Sequence, residues 1–185
     1  MEDSLNGATV AFLVANEGVE QIELTRPWEA VEQAGGRPLL VAPEDGSVQA
    51  FNHLDKADTF SPDMTTAELV GQQLSGIVLP GGVANPDQLR MDASALEVVR
   101  RHLGEGRPLA AICHGPWVLV EAGQVRGRTL TSWPSLQTDI RNAGGNWVDS
   151  EVVVDGTLIT SRGPQDLDVF CNELLGALGR SHVVA

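Results

Sequence analysis

Four short apolar runs, separated by segments with helical spacing, constrain the fold of this chain more than any other feature. The runs lie at residues 9–15, 38–42, 76–79 and 109–112. Uninterrupted apolar runs of strand length are typical of strands buried on both faces of a parallel sheet. Segments with the apolar spacing of helices lie at residues 22–34, 93–103, 117–122, 135–143 and 165–178. This alternation predicts an α/β fold, with a doubly wound, mostly parallel sheet and helices on both faces.

Turn residues predict two hairpins outside this alternation. Asp155-Gly156 separates two short apolar runs and is the strongest hairpin signal in the chain. Residues 45–67 are irregular, with a short alternation at 48–51, and predict a small hairpin followed by a long connection. No internal repeat, low-complexity tract or linker interrupts the chain, and 185 residues fit one domain. We therefore expect a single domain over residues 1–185, with its core at about 8–178.

Charge and composition argue against several classes of partner. The formal net charge of −13 argues against nucleic acid, because phosphate binding needs clustered Lys and Arg. No apolar stretch approaches the roughly 20 residues of a membrane span, so no membrane partner is expected. Residues 1–4 do not begin a secretory signal, since no basic segment leads into an apolar core. Two cysteines, Cys113 and Cys171, do not make a disulfide framework, and a reducing cytoplasm is the expected compartment.

The residues around Cys113 carry the strongest chemical signal. The apolar run at 109–112 ends at Cys113, and the next residues are typical of the first turn of a helix. A strand-to-helix turn of this kind exposes the serine nucleophile of the G-x-S-x-G elbow. The N-terminus of a helix also stabilises a thiolate and lowers the pKa of the thiol. The alternative is a buried structural cysteine, a common fate of free cysteines, but the strand–Cys–His–Gly–helix context favours a reactive thiol.

The loop at residues 16–23 is rich in carboxylates. Ligands of open α/β sheets bind outside the carboxyl ends of the strands, which places this loop at the same edge as Cys113. Glu17 is expected to be solvated. Glu23 can point toward Cys113, where a nearby thiolate would raise the pKa of the acid until it holds a proton. A protonated Glu23 would then act as a general acid, and the sequence leaves this role and a merely solvated side chain equally open.

The loop at residues 80–90 supplies Gly81, Gly82 and Asp87. The glycine pair is either a simple tight turn or a place of close backbone approach, where N–H groups face an oxyanion formed at Cys113. Asp87 follows a proline, and on the sequence alone helix capping is its expected role.

His114 either satisfies polar groups at the start of the helix or partners Cys113, and adjacent residues pair only if the turn is strained. The other histidines, at 53, 102 and 182, have no metal-ligand spacing with one another or with cysteine, so no metal is expected. No glycine-rich nucleotide motif follows the first strand, so no nucleotide cofactor is expected either. Cys171 lies in the middle of a predicted helix, where core packing is its expected role.

Several further motifs occur in one order along the chain. They are Ala15-Asn16-Glu17 with Glu20 to Leu24, Leu79-Pro80-Gly81-Gly82, Ala111 to Pro116, Asn142-Ala143-Gly144, Val153-Val154-Asp155-Gly156 and Ser161-Arg162-Gly163-Pro164. Together they resemble the ThiJ/PfpI family of the class I glutamine amidotransferase-like superfamily. The resemblance covers about residues 8–178 and is nearest to the PfpI branch of intracellular protease-like and general stress proteins. Several spaced motifs in one order are more specific than any single motif.

The resemblance implies a flavodoxin-like sandwich that forms homodimers, with hexamers in some members, and that works without a cofactor. It implies that Cys113 is the nucleophile, Glu23 the protonated acid beside it, and N–H groups near Gly82 and His114 the oxyanion site. His114 would pair with an acid from a neighbouring subunit. Asp87 matches that position, where members with the PfpI pattern carry a longer glutamate.

The activities of the family include peptide hydrolysis, conversion of methylglyoxal to lactate and removal of early glycation adducts, alongside protection under stress. Our first hypothesis is a stress-response enzyme whose Cys113 attacks a small reactive carbonyl, a glycation adduct or an acyl or peptide bond, with Glu23 as the proton shuttle. Its substrate would be a small molecule or an adduct on a protein. The alternative is a thiol-based oxidative-stress sensor or protein-protecting module without turnover. Proteolysis needs an extended cleft and ranks third.

Overall fold

A seven-stranded sheet forms the centre of the computed structural model, which describes residues 5–183 apart from the side chains of 182 and 183. Residues 1–4, which bear on the question of a secretory signal, and residues 184–185 lie outside the described part. The strands are β1 (Thr9–Leu13), β2 (Glu17–Glu20), β3 (Arg37–Ala42), β4 (Val48–Asn52), β5 (Asp55–Phe60), β6 (Met64–Thr65), β7 (Gly76–Leu79), β8 (Leu109–Ile112), β9 (Thr129–Leu130), β10 (Asn146–Trp147), β11 (Val152–Asp155) and β12 (Leu158–Ser161). The helices are α1 (Gln21–Gln33), α2 (Thr66–Leu69), α3 (Ala84–Leu89), α4 (Ala93–Gly104), α5 (Pro116–Glu121), α6 (Gln137–Asn142) and α7 (Leu167–Val183). Short 3-10 helices at Pro134–Leu136 and Pro164–Asp166 precede α6 and α7.

The order of the central sheet is β11-β12-β8-β7-β1-β3-β6. Every neighbouring pair is parallel except β11 and β12, which form the hairpin predicted at Asp155-Gly156. The five strands β3-β1-β7-β8-β12 have the strand order of flavodoxin-like folds. The predicted doubly wound α/β fold is therefore confirmed.

Two hydrophobic layers cover the central sheet. α1 and α7 pack on one face with Phe12 of β1, and α4, α5 and α6 pack on the other face with Leu13 of the same strand. Successive side chains of a strand point to opposite faces, so both layers bury β1, β7 and β8. This two-sided burial is the physical origin of the uninterrupted apolar runs.

The structure differs from the sequence analysis at the two loops expected to form the site. Residues 17–20 form β2, which pairs in parallel with β4, so the small hairpin β4–β5 belongs to a second, three-stranded sheet. Residues 84–89 form α3 within the second predicted loop. The carboxylates Glu17 and Glu20 are typical of a loop, whereas the hydrogen-bond partner of β2 lies far along the chain. Pairing with a distant strand overrides such local preference.

The last helix, α7, is also the longest one described, with 17 residues. It begins at Leu167, after a 3-10 turn, and continues past the predicted end at Leu178. Among residues 5–183, no helix combines the length and the apolar content that a bilayer span requires.

Candidate active site

Cys113 lies at the turn between β8 and α5, with its backbone in the left-handed region at φ 60°. Its N–H donates to the Ser161 carbonyl at 3.1 Å, and its carbonyl accepts from the Trp133 N–H at 2.8 Å. The Gly115 N–H closes the turn on the Ile112 carbonyl at 2.9 Å. A positive φ is uncommon for a residue with a Cβ and persists where the surrounding structure enforces it. Cys113 therefore occupies the strained strand-to-helix turn that the sequence predicts.

His114 contacts the thiol directly, since its Nδ1 lies 3.2 Å from Cys113 Sγ. Its ring packs edge-on against Trp117 and stacks on Trp133, with centroid separations of 5.3 and 5.9 Å. Its Nε2 lies 3.4 Å from Ser135 Oγ. Burial lowers the pKa of His114, so the imidazole is neutral at neutral pH. With the hydrogen on Nε2 directed at the hydroxyl, Nδ1 is free to accept a proton from the thiol.

Glu23 is fully buried in the first turn of α1. Its Oε2 accepts a hydrogen bond from the Gly81 N–H at 2.8 Å, while its Oε1 has no partner within the described chain. The pKa of Glu23 is raised from 4.5 to about 8, mainly by burial and to a smaller extent by the nearby charge of Glu20, against the lowering effect of the hydrogen bonds with Gly81 and Cys113. The carboxyl group therefore holds a proton at neutral pH, as proposed from the sequence, but with desolvation rather than repulsion by a thiolate as the main cause.

Burial also raises the pKa of the Cys113 thiol, so the expectation of a lowered thiol pKa is wrong for the free site. The residue is 7% exposed, and lost solvation outweighs the N–H groups of Gly82 and His114, which lower the pKa. The helix that follows, α5, has only six residues and contributes a weak dipole. A charged Glu23 raises the thiol pKa too, and this effect disappears when Glu23 is protonated. The two groups therefore form a coupled pair, in which the protonation state of one affects the pKa of the other.

Gly81 and Gly82 bring the backbone against both acidic groups. The Gly81 N–H donates to Glu23 and so does not face the thiol, which differs from the expectation for this residue. The N–H groups of Gly82 and His114 do face the thiol, where they can stabilise an oxyanion. A Cβ at Gly81 would lie 2.5 Å from Glu23 Oε2, and a Cβ at Gly82 would collide with the Gly18 carbonyl. Gly82 also has φ 80°, so the pair provides close approach rather than a simple turn.

Asp87 lies inside α3, and the helix-cap role expected for it is wrong. The helix begins at Ala84 with Val83 at the N-cap position, because Pro86 fits within a first turn, where its missing N–H is not needed. The Asp87 side chain is exposed and lines the cavity that also contains Cys113. Within residues 5–183, no hydrogen bond joins Asp87 to His114.

A cavity of about 710 Å³ at the carboxyl edge of the central sheet connects these groups. Cys113, His114, Glu23 and Asp87 all line it. The rest of its lining comes from β2, from the tip of the β4–β5 hairpin and from the start of α3, together with Trp133 and Pro164. The structure thus brings together the side chains that the sequence assigns to three separate loops.

The aromatic and hairpin parts of this cavity are not predicted from the sequence. Trp133 lies between β9 and the helix predicted from residue 135, in a segment without a local signal, and it reaches the site through the hydrogen bond from its N–H to the Cys113 carbonyl. At the hairpin tip, His53 has φ 58°, and its N–H donates to Glu20 Oε2 at 3.0 Å. Leu54 beside it is 94% exposed. Only pairing of β4 with β2 places this tip over the site.

Two other residues singled out in the sequence lie away from the cavity. Cys171 is buried in α7 within the hydrophobic layer shared with α1, as expected. Arg162 is held by Asp166 and Asp149 at 2.8–2.9 Å and does not line the cavity. In the described part of the chain, no group of three or more His, Cys, Asp or Glu side chains is arranged to hold a metal ion.

The chain is similar in sequence and in fold to several known proteins. The chain is 37% identical over 169 residues to Deglycase PH1704 of Pyrococcus horikoshii, which covers 91% of this chain and 98% of that protein. It is 34% identical over 169 residues to YraA of Bacillus subtilis, provisionally named a cysteine protease, with 91% and 97% covered. A solved two-domain protein of Anabaena variabilis, with DJ-1/ThiJ/PfpI-like and ferritin-like domains, is 32% identical with a TM-score of 0.87. That match covers 93% of this chain and 48% of the two-domain chain.

The sequence profile of one family covers almost the whole chain. The DJ-1/PfpI family profile matches residues 8–177, a range that includes every strand of the central sheet and the elbow at Cys113. The matched range agrees with the motifs that suggest the resemblance to ThiJ/PfpI proteins. The chain belongs to the DJ-1/PfpI family.

Proposed function

We propose that this protein is a cysteine-dependent, cofactor-free hydrolase of the deglycase type, acting on reactive carbonyls and early glycation adducts. One observation carries the proposal: a thiol, a neutral imidazole 3.2 Å from it and a buried carboxyl group with a pKa of about 8 share one cavity. This set supplies a nucleophile, a base and an acid. The name of the Pyrococcus horikoshii relative supports the choice of substrate class.

The first step joins the sulfur to the substrate. The Cys113 thiol passes its proton to His114 Nδ1 while Sγ bonds to the carbonyl carbon. The electron pair of the C=O bond moves to the oxygen, near the N–H groups of Gly82 and His114, and protonated Glu23 supplies the proton that the oxygen takes up. A hemithioacetal results. For an aminocarbinol adduct, Sγ instead displaces the amine, which leaves with the proton of Glu23, and the same intermediate forms.

The second step uses Glu23 as a base. For a substrate with a neighbouring carbonyl, the Glu23 carboxylate moves a proton from the sulfur-bearing carbon to the adjacent carbon. The hydroxyl proton of the sulfur-bearing carbon passes to the oxygen of the adjacent carbon, and a thioester of a 2-hydroxy acid forms. Water then cleaves the thioester and restores the thiol. The net change adds one water to a 2-oxoaldehyde and needs no external oxidant or reductant.

The thiol-sensor alternative has less support from the site. A peroxide sensor works best with an exposed thiol of low pKa, whereas Cys113 is buried and its pKa is raised. Titration with peroxide followed by mass spectrometry distinguishes the two proposals, since a sensor forms a sulfenic or sulfinic Cys113 at moderate peroxide. Peptide hydrolysis would use the same thiol and N–H groups, and cleavage of an unmodified peptide would favour it.

Substitution of the two cysteines tests the enzyme proposal. We expect Cys113→Ala to abolish lactate formation from methylglyoxal and release of adducts from a glycated peptide, because the sulfur forms the covalent intermediate. Cys171→Ala is the matched control, since this thiol is equally buried but lies in the core, and it should retain most of the activity. Equal rates for the wild type and Cys113→Ala would contradict the proposal.

We also propose that the protein acts as a homodimer or a larger homo-oligomer, as its resemblance to the PfpI branch implies. The exposed position of Asp87 at the cavity mouth supports a contribution of this carboxylate to the site of a neighbouring copy.

A further inference from the structure

The cavity around Cys113 has an unusual distribution of charge for its size. Besides protonated Glu23, its lining includes three carboxylates, Glu17, Glu20 and Asp87. No Lys or Arg belongs to the lining that the described residues provide. Burial lowers the pKa of His114, so its imidazole is neutral. The acidic side chains of the wall are therefore not offset by a Lys or Arg among the described lining residues.

The carboxylates lie both at the entrance and inside. Glu17 and Asp87 are exposed at the mouth, on β2 and α3, whereas Glu20 is 9% exposed and is fixed by the hydrogen bond from the His53 N–H. Charges beside a low-dielectric wall act over longer distances than charges in open water. A molecule that approaches Cys113 therefore passes a negative entrance and meets a further negative charge inside.

A second observation concerns a buried polar atom at the wall of the cavity. Glu23 Oε1 is fully buried, belongs to a residue that lines the cavity and has no hydrogen-bond partner in the described chain. Buried polar atoms are normally satisfied, so the Glu23 side chain has room for a ligand contact beyond its interaction with the Cys113 thiol. The carboxyl group of Glu23 is also the one that donates and accepts protons in the proposed reaction.

The size and the rim of the cavity indicate more than a small aldehyde. A volume of about 710 Å³ lies within the range of sites that take drug-sized molecules. Val83 is 59% exposed, Leu54 is 94% exposed and Trp133 is 39% exposed at the rim. Exposed apolar side chains at the rim of the cavity fit the aliphatic parts of a peptide.

We propose that the cavity selects carbonyl substrates by charge: it takes adducts carried on a basic or neutral peptide and rejects carbonyl compounds that bear a carboxylate or a phosphate. The proposal rests on the function proposed above, because it concerns the same site. It adds a specificity that the reaction chemistry does not require, since the attack on the carbonyl is the same for either charge. Glu17 and Asp87 are the main specificity-determining residues, and Glu20 adds a fixed negative charge.

The first test measures the charge preference without turnover. Cys113 is treated with 2-aminoethyl methanethiosulfonate, a cation, or with 2-sulfonatoethyl methanethiosulfonate, an anion. In both reactions the thiol forms a disulfide and releases methanesulfinic acid, so only the charge of the probe differs. The ratio of the two rates is divided by the same ratio for N-acetylcysteinamide. We expect a corrected preference for the cation of about tenfold or more, decreasing with added salt.

Variants show where the preference arises. The double variant Glu17→Gln/Asp87→Asn should lower the corrected ratio by about three- to tenfold, and a change in intrinsic thiol reactivity cancels in the ratio. Glu97→Gln changes the net charge at an exposed site on α4, away from the cavity, and should leave the ratio within about twofold. A corrected ratio near one, a failure of the cationic probe to react, or an equal effect of Glu97→Gln would overturn the proposal.

A second experiment compares the turnover of two substrates of different charge. Two peptides with the same glycation adduct, one flanked by Lys and one by Glu, should differ by about tenfold or more in kcat/KM in favour of the Lys peptide. Equal kcat/KM values would overturn the charge selection even if both peptides react. If the probe ratio is as expected but neither peptide is turned over, the deglycase proposal fails while selection of cations by the cavity stands.

Discussion

At the scale of single residues, the site depends on which groups hold protons before a substrate arrives. Burial acts in the same direction on Glu23 and Cys113, because it penalises the charged form of each. For His114 it lowers the pKa and keeps the ring neutral. A buried site with three neutral groups avoids the cost of unpaired charges and still holds an acid and a base. Ionisation is postponed until the substrate can share the charge.

The pH dependence of stability follows from Glu23. Its folded pKa of about 8 exceeds its ordinary value of 4.5, so its contribution to stability is complete below pH 4.5 and is lost as the pH rises through 8. Glu23→Gln cannot ionise, and it should therefore gain stability relative to the wild type over this interval, on the order of 4 kcal/mol by pH 8. Urea unfolding at pH 4.5, 6 and 8 measures this difference. A constant difference between the two proteins would contradict it.

At the scale of elements, the loop between β12 and α7 holds the elbow in place. The Ser161 carbonyl accepts a hydrogen bond from the Cys113 N–H, and Gly163 packs against Trp133, which stacks on His114. Arg162 ties this loop to the buried carboxylate of Asp166. Two charge-assisted hydrogen bonds from one planar guanidinium fix both ends of the loop.

Loss of the hydrogen bonds between Arg162 and Asp166 should change both the stability of the protein and the reactivity of Cys113. We expect Arg162→Ala to lower the free energy of unfolding by about 2 kcal/mol, since the buried Asp166 loses both hydrogen bonds from the guanidinium and keeps the one from the backbone N–H of residue 162. It should also slow alkylation of Cys113 several-fold, because the Ser161 carbonyl is no longer fixed, and Arg162→Lys should restore only part of the rate.

The control for Arg162 is Arg26→Ala. Arg26 forms an exposed ion pair with Asp168 at 3.3 Å, and its loss should change stability by less than about 0.5 kcal/mol. The rate of Cys113 alkylation by neutral iodoacetamide and the free energy of unfolding in urea are measured for both variants. If Arg162→Ala alkylates as fast as Arg26→Ala, the loop does not position the elbow.

What the sequence predicts correctly is encoded in local patterns. The four central strands, the two hairpins and the turn at Cys113 each carry an apolar run, a turn dipeptide or an abrupt end of a run. β2 and α3 carry no such local pattern, because β2 depends on a distant partner strand and α3 begins before a proline. The thiol pKa is missed for a similar reason: a short helix and near-complete burial are properties of the folded chain.

At the scale of the whole molecule, the acid that completes the site is proposed to come from another copy. Asp87 and His114 line one cavity, yet no hydrogen bond joins them within residues 5–183. In an oligomer with a closed symmetry, each copy can contribute the same residue to its neighbour.

Mixing two inactive variants tests this arrangement. Cys113→Ala keeps Asp87, and Asp87→Ala keeps the thiol, so a mixed dimer contains one complete site if the acid acts between copies. Co-refolded in equal amounts, the two variants should recover roughly a quarter of the wild-type activity, because half of the dimers are mixed and one of their two sites is complete. Light scattering of each variant checks that oligomers persist. Activity no greater than the average of the two variants alone would assign Asp87 to its own chain or to no role.

The proposed reaction depends on a buried carboxyl group that stays protonated beside the Cys113 thiol at neutral pH. Carboxyl-carbon NMR of protein labelled with ¹³C-glutamate reads this state directly across pH 4 to 10. We predict that one glutamate titrates near pH 8, that its signal disappears in Glu23→Gln, and that Cys113→Ser keeps it well above the ordinary range for glutamate. If every glutamate carboxyl of the wild type is ionised by pH 6, the acid assigned to Glu23 does not exist, and the proposed reaction loses its proton donor.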